Sequence, residues 1–298
     1  MGGEESVLFS FVPGKVKGVI PVGGLVIDSK GNLYGTTWAP GITGNFNFQR
    51  VDPATANTYW GCDKPGCGGT VFELTPTKGG WKESDIYAFT GAKDGSTPQG
   101  TLLMDAKGNL FGTTVYGGTT GCTSGYGCGV VFELSPQSKE WKQTVLYRFT
   151  GGSDGAYPMG SLIVDKSGTF YSTAGSGGSA NQGTVFSMGL NGKQWKVSTL
   201  HSFTGADGSM PMAGVIADSK GVLYGTTNQG GNNWGVAFKL TPSNGDWKET
   251  ILHAFTLDGG DAENPAAPLM FGPKGLLYGT SQSGGSSGIH GAVFQVAP

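Results

Sequence analysis

Three features of the 298-residue sequence predict an all-β fold, a five-bladed β-propeller with four-stranded blades. A paired motif recurs five times. Each full copy carries the pattern of four short strands. The two ends of the chain are complementary fragments of one copy. The first half of the pair is Leu33-Tyr34-Gly35-Thr36-Thr37, which returns at Leu110–Thr114, Phe170–Ala174, Leu223–Thr227 and Leu277–Ser281. The second half is Gly69-Thr70-Val71-Phe72, which returns at Gly129–Phe132, Gly183–Phe186, Gly235–Phe238 and Gly291–Phe294.

Within a copy, the first strand is an apolar run ending at a turn, Leu25-Val26-Ile27-Asp28 before Ser29-Lys30-Gly31. Its continuity predicts a strand buried on both faces. The Asp-x-x-Gly turn suits a tight hairpin, with Asp bonding its own backbone and Gly taking positive φ. The two motifs are the second and third strands. The fourth follows Trp81-Lys82 as Ile86-Tyr87-Ala88-Phe89-Thr90, with copies after Trp141, Trp195 and Trp247. The fifth copy lacks this strand, and Val7-Leu8-Phe9-Ser10-Phe11 aligns with it. The N-terminal strand is therefore expected to join the last blade and close the ring, leaving no open edge. A linear solenoid predicts polar caps at both ends instead. The expected organisation is one domain over 1–298, with blades at about 21–90, 98–150, 158–204, 211–256 and 265–298 plus 7–11.

Composition narrows the function classes. The 56 glycines demand dense turns, and only 13% of residues are charged. A net charge of -2 provides no basic field for nucleic acid. No apolar run reaches the ~18 residues of a membrane span. Met1-Gly2-Gly3 reads as an added start on a trimmed chain, so an export signal or anchor is expected outside this sequence. A monomer is expected. No cofactor and no metal site are expected, with a structural cation left open.

Spacing sorts scaffold from loops. From the third-strand Phe to the next Leu-Tyr-Gly-Thr motif the intervals are nearly constant, 38 residues from 72 to 110 and 39 from 238 to 277. From the motif Thr to the Gly opening the third strand they range from 33 (36 to 69) and 16 (113 to 129) down to 9 (226 to 235). The connections between second and third strands therefore vary most. In a meander they leave on the same face as the links between blades, called here the top face. Variable loops on a rigid scaffold usually carry function.

The longest loop, Trp38 to Gly68, holds Trp38, Phe46, Phe48, Arg50, Asp52, Tyr59, Trp60, Asp63 and Lys64. Four of the seven tryptophans recur at one repeat position and read as scaffold, whereas Trp38, Trp60 and Trp234 lie in top loops. Such aromatics stack on sugar rings, or form a small core of their own under the loop. Tyr116 and Tyr126 in the second loop are further ligand candidates. Asn228, Gln229, Asn232, Asn233 and Trp234 in blade 4 suit planar-amide recognition of hydroxyls. All four cysteines lie in the two longest loops. Pairs Cys62–Cys67 and Cys122–Cys128 are expected as local disulfides, which implies an oxidising compartment. Pairing across the loops, or a four-thiolate zinc site of unusual spacing, are the alternatives.

Acids at Asp94, Asp154, Asp207 and Asp258 recur in the links and read as turn chemistry. The non-repeated Asp52, Asp63, Asp261 and Glu263, with His290 in the last top loop, are the catalytic candidates, two acids serving as a pair for glycosidic cleavage. His201 and His253 fall at the Tyr87/Tyr147 position and read as surface residues.

The recurring Gly-x-Leu-Tyr-Gly-Thr-Thr, then Gly-Thr-Val-Phe-x-Leu-x-Pro, resembles the bacterial GloVer-type tandem-repeat family from Val7 to Pro298. Blade 3 departs, with Ser172 for Gly and Ala174 for Thr. The resemblance implies a secreted or cell-surface bacterial protein and assigns no catalytic residues. The expected function is an extracellular binding module for carbohydrate using the top loops. A polysaccharide hydrolase or lyase with a pocket at the ring mouth is the alternative, supported by fold analogy alone.

Overall fold

The computed structural model describes residues 5–15, 18–40, 50–51, 58–59, 68–118, 121–122, 125–257, 260–286 and 290–298. They form the expected five-bladed β-propeller, one antiparallel sheet per blade. In blade 1 the second, third and fourth strands are Leu33–Pro40, Thr70–Thr77 and Gly80–Ala88. Their counterparts are Leu110–Tyr116, Val130–Pro136 and Trp141–Arg148; Phe170–Ala174, Thr184–Asn191 and Gln194–Ser202; and Leu223–Thr227, Val236–Ser243 and Asp246–Ala254. Blade 5 has Leu277–Gly284 and Val293–Val296.

Register is set by close approach. Gly35 pairs with Phe72, Gly112 with Phe132 and Gly225 with Phe238. A Cβ on Gly112 would sit 2.7 Å from Phe132 Cζ and 3.0 Å from Leu102 Cδ2, so the ring occupies the space a side chain would need. In blade 3 the same position is Ser172, fully buried, whose hydroxyl donates to Ser161 O at 3.0 Å. Each complete outer hairpin carries one register irregularity at the same place, Val71/Phe72, Val131/Phe132, Val185/Phe186 and Ala237/Phe238.

The inner strand departs from expectation. It comes in two pieces, such as Gly18–Pro21 and Val26–Ile27 in blade 1, pairing with opposite ends of Leu33–Pro40. Ser96–Pro98 with Leu103–Met104, and Ala262–Pro265 with Met270–Phe271, repeat this. Proline cannot donate to a ladder, and beyond it the chains crowd the axis. A Cβ on Gly160 would lie 2.6 Å from Gly214 N, and one on Gly100 3.0 Å from Gly160 O. Nor is the apolar run buried along its whole length. Leu162 and Leu269 are buried, while Val164 and Phe271, two residues on along the same face and next to the hairpin turn, are exposed. The hairpin turns behave as expected: Asp28 Oδ1 accepts from the amides of Lys30 and Asn32, and Gly31 takes φ 86°.

The core lies in the seams between blades. Each fourth-strand Phe stands edge-on against the third-strand Phe of the next blade: Phe89–Phe132, Phe149–Phe186, Phe203–Phe238 and Phe255–Phe294, with centroids 4.9–5.2 Å apart. Burying one such ring stabilises by ~2–3 kcal/mol. Phe11 supplies the fifth contact, against Phe72. The N-terminal segment thus closes the ring through side chains; among the described residues it forms no ladder with Val293–Val296. This seam is the least buried. Leu25 is 52% exposed where Leu102 and Leu162 are 3%, and Val293 is 78% exposed where Val71, Val131 and Val185 are 0%.

Candidate functional site on the top face

The loops between second and third strands and the links between blades share one face, as expected. Gly118 N donates to Ala92 O at 2.9 Å, Gly178 N to Gly152 O at 2.8 Å and Gly231 N to Gly205 O at 2.8 Å. Each bond ties a blade's loop to the link that enters that blade.

The top of the inner strand holds a repeated backbone oddity. Ile20, Thr97, Tyr157, Met210 and Asn264 each precede a proline and each has φ between 54° and 63°. Positive φ is costly for non-glycine residues, most of all for β-branched ones. The cost is offset by a bond to the preceding blade: the amides of Thr97, Tyr157, Met210 and Asn264 donate to the carbonyls of Gly68, Cys128, Gln182 and Trp234 at 2.7–2.9 Å. The backbone repeats while the side chains do not, so this ring presents different chemistry from each blade. These residues escaped the sequence reading. The available signal was the variable residue before each repeated proline.

Two clusters stand out on this face. Above blades 2 and 3, the half-buried Tyr116 meets Tyr126 at 6.0 Å and Tyr157 at 5.5 Å, both edge-on. The Cys122–Cys128 disulfide is present and braces the loop that carries Tyr126. Toward blade 5, Asn264 Nδ2 donates to Asn228 O at 2.9 Å, Ser283 Oγ donates to Asn264 Oδ1 at 2.8 Å, and Asn228 Nδ2 reaches Gln282 Oε1 at 3.4 Å. Between the two clusters a polar cleft of about 480 Å³ opens at the seam of blades 3 and 4. Gln182, Ser209, Gln229 and Asn233 line it, and Ser209 Oγ donates to Gln182 Oε1.

Of the expected ligand residues, Tyr116 and Tyr126 come together, and Gln229 and Asn233 share the cleft. Asn232 is exposed beside it, whereas Asn228 is 6% exposed and bonded within the fold. Trp234 is half-buried against the core of the seam between blades 4 and 5. Trp38 lies half-buried within the strand Leu33–Pro40 rather than in the loop, and the described residues of this stretch stop at 40. Arg50–Val51 pairs with Thr58–Tyr59 as a two-stranded ribbon. Phe46, Phe48, Asp52, Trp60, Cys62, Asp63 and Cys67, with the side chains of Arg50 and Tyr59, lie outside the described residues.

The acids sort differently from expectation. Asp94 accepts from Thr90 N at 2.8 Å and Tyr87 Oη at 3.0 Å, and Asp154 accepts from Thr150 N and Tyr147 Oη in the same way. Burial pushes both tyrosine hydroxyls well above their ordinary range, and the paired carboxylates add to it. In blade 4 this role falls to Asp261, which accepts from Thr256 N at 3.0 Å and meets His253 Nε2 at 2.9 Å. Asp261 is thus the repeat acid of its link rather than a non-repeated one. The distance from the Thr to its Asp varies among links, and reach to the Thr amide, not the Asp-Gly spelling, selects the acid. Asp258 lies outside the described residues. His201 and His253 replace the tyrosines, each paired with its link acid. Glu263 is 4% exposed on the inner strand opposite Ser283, and His290 is exposed. Among the described residues, no three His, Cys, Asp or Glu side chains are grouped to hold a metal ion.

The outer-strand carboxyl of Glu249 is perturbed. Gln143 Nε2 donates to Asp94 O at 3.1 Å, but the same position in blade 4 is Glu249, whose Oε1 is buried without a hydrogen-bond partner. Burial, with the negative charge of Asp207 added, pushes its carboxyl up to about 7.

Fold and site together define a closed β-propeller whose top-face loops differ from blade to blade. The chain belongs to the Gloeobacter/Verrucomicrobia repeat family, whose family model matches residues 1–231 and 194–298. No curated protein matches the sequence. A Dyadobacter fermentans DSM 18053 protein of unknown function is similar over 95% of this chain and 79% of that one, at 12% identity and a TM-score of 0.53. A Penicillium chrysogenum α-L-arabinanase is similar over 91% and 77%, at 12% identity and a TM-score of 0.48. A Trypanosoma rangeli sialidase is similar over 94% and 46%, at 11% identity and a TM-score of 0.49. At these identities the likeness is one of fold. No helix is long and apolar enough to cross a membrane.

Proposed function

We propose that this protein is an exported carbohydrate-binding module whose ligand lies across the top face. The observation that carries the reading is the cleft of about 480 Å³ lined by Gln182, Ser209, Gln229 and Asn233. Planar amides and a hydroxyl can donate and accept at once, as sugar hydroxyls require. The neighbouring Tyr116, Tyr126 and Tyr157 add rings for stacking. Binding is favoured over catalysis because the described acids of this face do not form a pair: Asp261 is held in its link and Glu263 is buried in the inner strand.

The test is retention of immobilised protein on a glycan array and a polysaccharide panel. At least one glycan should be retained. Combining Gln229→Ala with Asn233→Gly, which keeps the positive φ of 77°, should weaken retention by about ten-fold without changing the unfolding midpoint. Failure of every glycan to bind sinks the reading. New reducing ends or unsaturated products after long incubation would replace it with a polysaccharide-active enzyme.

A further inference from the structure

A second cavity, of about 440 Å³, lies on the opposite face, at the seam of blades 2 and 3. Its walls include Asp105, Phe111, Phe170, Gly189, Leu190 and Trp195. Four of these six are departures from the repeat. Phe111 stands where the other blades have Tyr34, Tyr171, Tyr224 and Tyr278, and Phe170 where they have leucine. Gly189 replaces the hydroxyl residues Thr75, Ser135 and Thr241, and Leu190 replaces Pro76, Pro136 and Pro242. Unselected drift would scatter such changes around the ring. Here they meet in one place.

The departures have a shared physical effect. Phe170 stands between Phe111 at 5.1 Å and Trp195 at 5.5 Å, making an aromatic wall where blades 1 and 2 have a single Tyr34–Trp141 contact. A Cβ on Gly189 would meet only Thr169 Oγ1, at 3.8 Å, and Gly189 is not among the positive-φ glycines. The backbone therefore does not require glycine there; its absent side chain leaves room. Leu190 is 62% exposed and Val164 44%, an apolar rim around the opening.

The missing tyrosine hydroxyl leaves its partner behind. Asp28 Oδ2 accepts from both Asn32 Nδ2 at 2.9 Å and Tyr34 Oη at 3.2 Å. Asp165 Oδ2 and Asp218 Oδ2 likewise accept from Tyr171 and Tyr224. With Phe111 in place, Asp105 Oδ2 accepts from Asn109 Nδ2 alone among the described residues, at 2.8 Å. An acceptor that three other blades satisfy with a phenol thus faces an aromatic-walled cavity.

We infer that this cavity binds a small phenol, its ring against Phe111, Phe170 and Trp195 and its hydroxyl donating to Asp105. The volume suits one substituted aromatic ring. The hydrogen bond to a carboxylate selects a hydroxylated ring over a plain one. The site is separate from the top face and does not rest on carbohydrate binding.

The experiment is calorimetric titration of the intact chain with p-cresol, and with toluene as the ring lacking a donor. Saturable p-cresol binding, about ten-fold or more tighter than toluene, is expected. Phe111→Tyr supplies the hydroxyl internally and Gly189→Thr fills the space. Both restore residues used by other blades, so both variants should fold, checked by unchanged circular dichroism. Each should weaken p-cresol binding by about ten-fold or more, while the top-face double variant binds p-cresol normally. No saturable binding of p-cresol overturns the proposal. So does equal affinity for toluene, or undiminished binding in either variant.

Discussion

The Phe11 ring stands edge-on against Phe72, centroids 4.9 Å apart and planes 63° apart, joining the first residues of the chain to the first blade. The contact reproduces the one made at each other seam, and Phe9 repeats the role of Tyr87, Tyr147, His201 and His253 beside it. A short N-terminal segment thus supplies, with two aromatic side chains, the contact that a fourth strand makes at the other seams.

Phe11→Ala should destabilise the fold by about 2 kcal/mol, through lost burial and an open seam. Phe149→Ala, at a fully buried equivalent, should cost about 3–5 kcal/mol. Urea denaturation of both variants checks the order. An equal cost would mean that the closing seam is as tight as the rest.

Glu249 makes stability depend on pH in a definite direction. Its carboxyl is raised from 4.5 to about 7 in the folded state, so the folded protein binds the proton more tightly than the unfolded chain. Its contribution is therefore best below pH 4.5 and is lost as pH rises through about 7. Glu249→Gln should stabilise by about 1 kcal/mol at pH 8, after allowance for solvent screening at this half-exposed group, and by nothing at pH 4. Asp207→Asn should shrink the Glu249 effect, because that carboxylate contributes to the rise. Thermal melts of the two single variants and the double variant across pH provide the measurement.

Replacing Cys122 and Cys128 by serine opens a short loop and should cost about 2 kcal/mol. It should also loosen Tyr126 and lower glycan retention more than it lowers p-cresol binding, since the latter site is on the other face. Denaturant midpoints and the two binding assays separate these effects.

Gly112→Ala should destabilise by about 1–3 kcal/mol, because the added methyl meets the Phe132 ring. The same change at Gly31, whose Cβ would meet nothing within 4 Å, tests only the strain of its positive φ and should cost about 1 kcal/mol. Comparing the two melts distinguishes crowding from backbone strain.

The repeats themselves made the architecture legible. Periodic motifs report residues that meet the same kind of neighbour from blade to blade, so Gly112 beneath Phe132 and Thr90 beside Asp94 are each written four times over. The Phe11 position was readable for the same reason, and so was the division into a constant scaffold and variable top loops. Spelling misled where length varies: Asp258 looks like the repeat acid, yet Asp261 reaches the Thr256 amide.

Sequence alone determined the blade count, the closing segment and the face that varies, because each depends on repetition, whereas the Cys122–Cys128 bond was one of several arrangements the sequence allowed. Tertiary structure decided which unlike residues meet. Tyr116 and Tyr157 belong to different blades, and Trp195 of blade 3 meets the cavity that Asp105 and Phe111 line from one hairpin of blade 2. Such contacts form across seams, where spacing along the chain carries no information about distance in space. Only the folded ring brings the departures from the repeat together as neighbours.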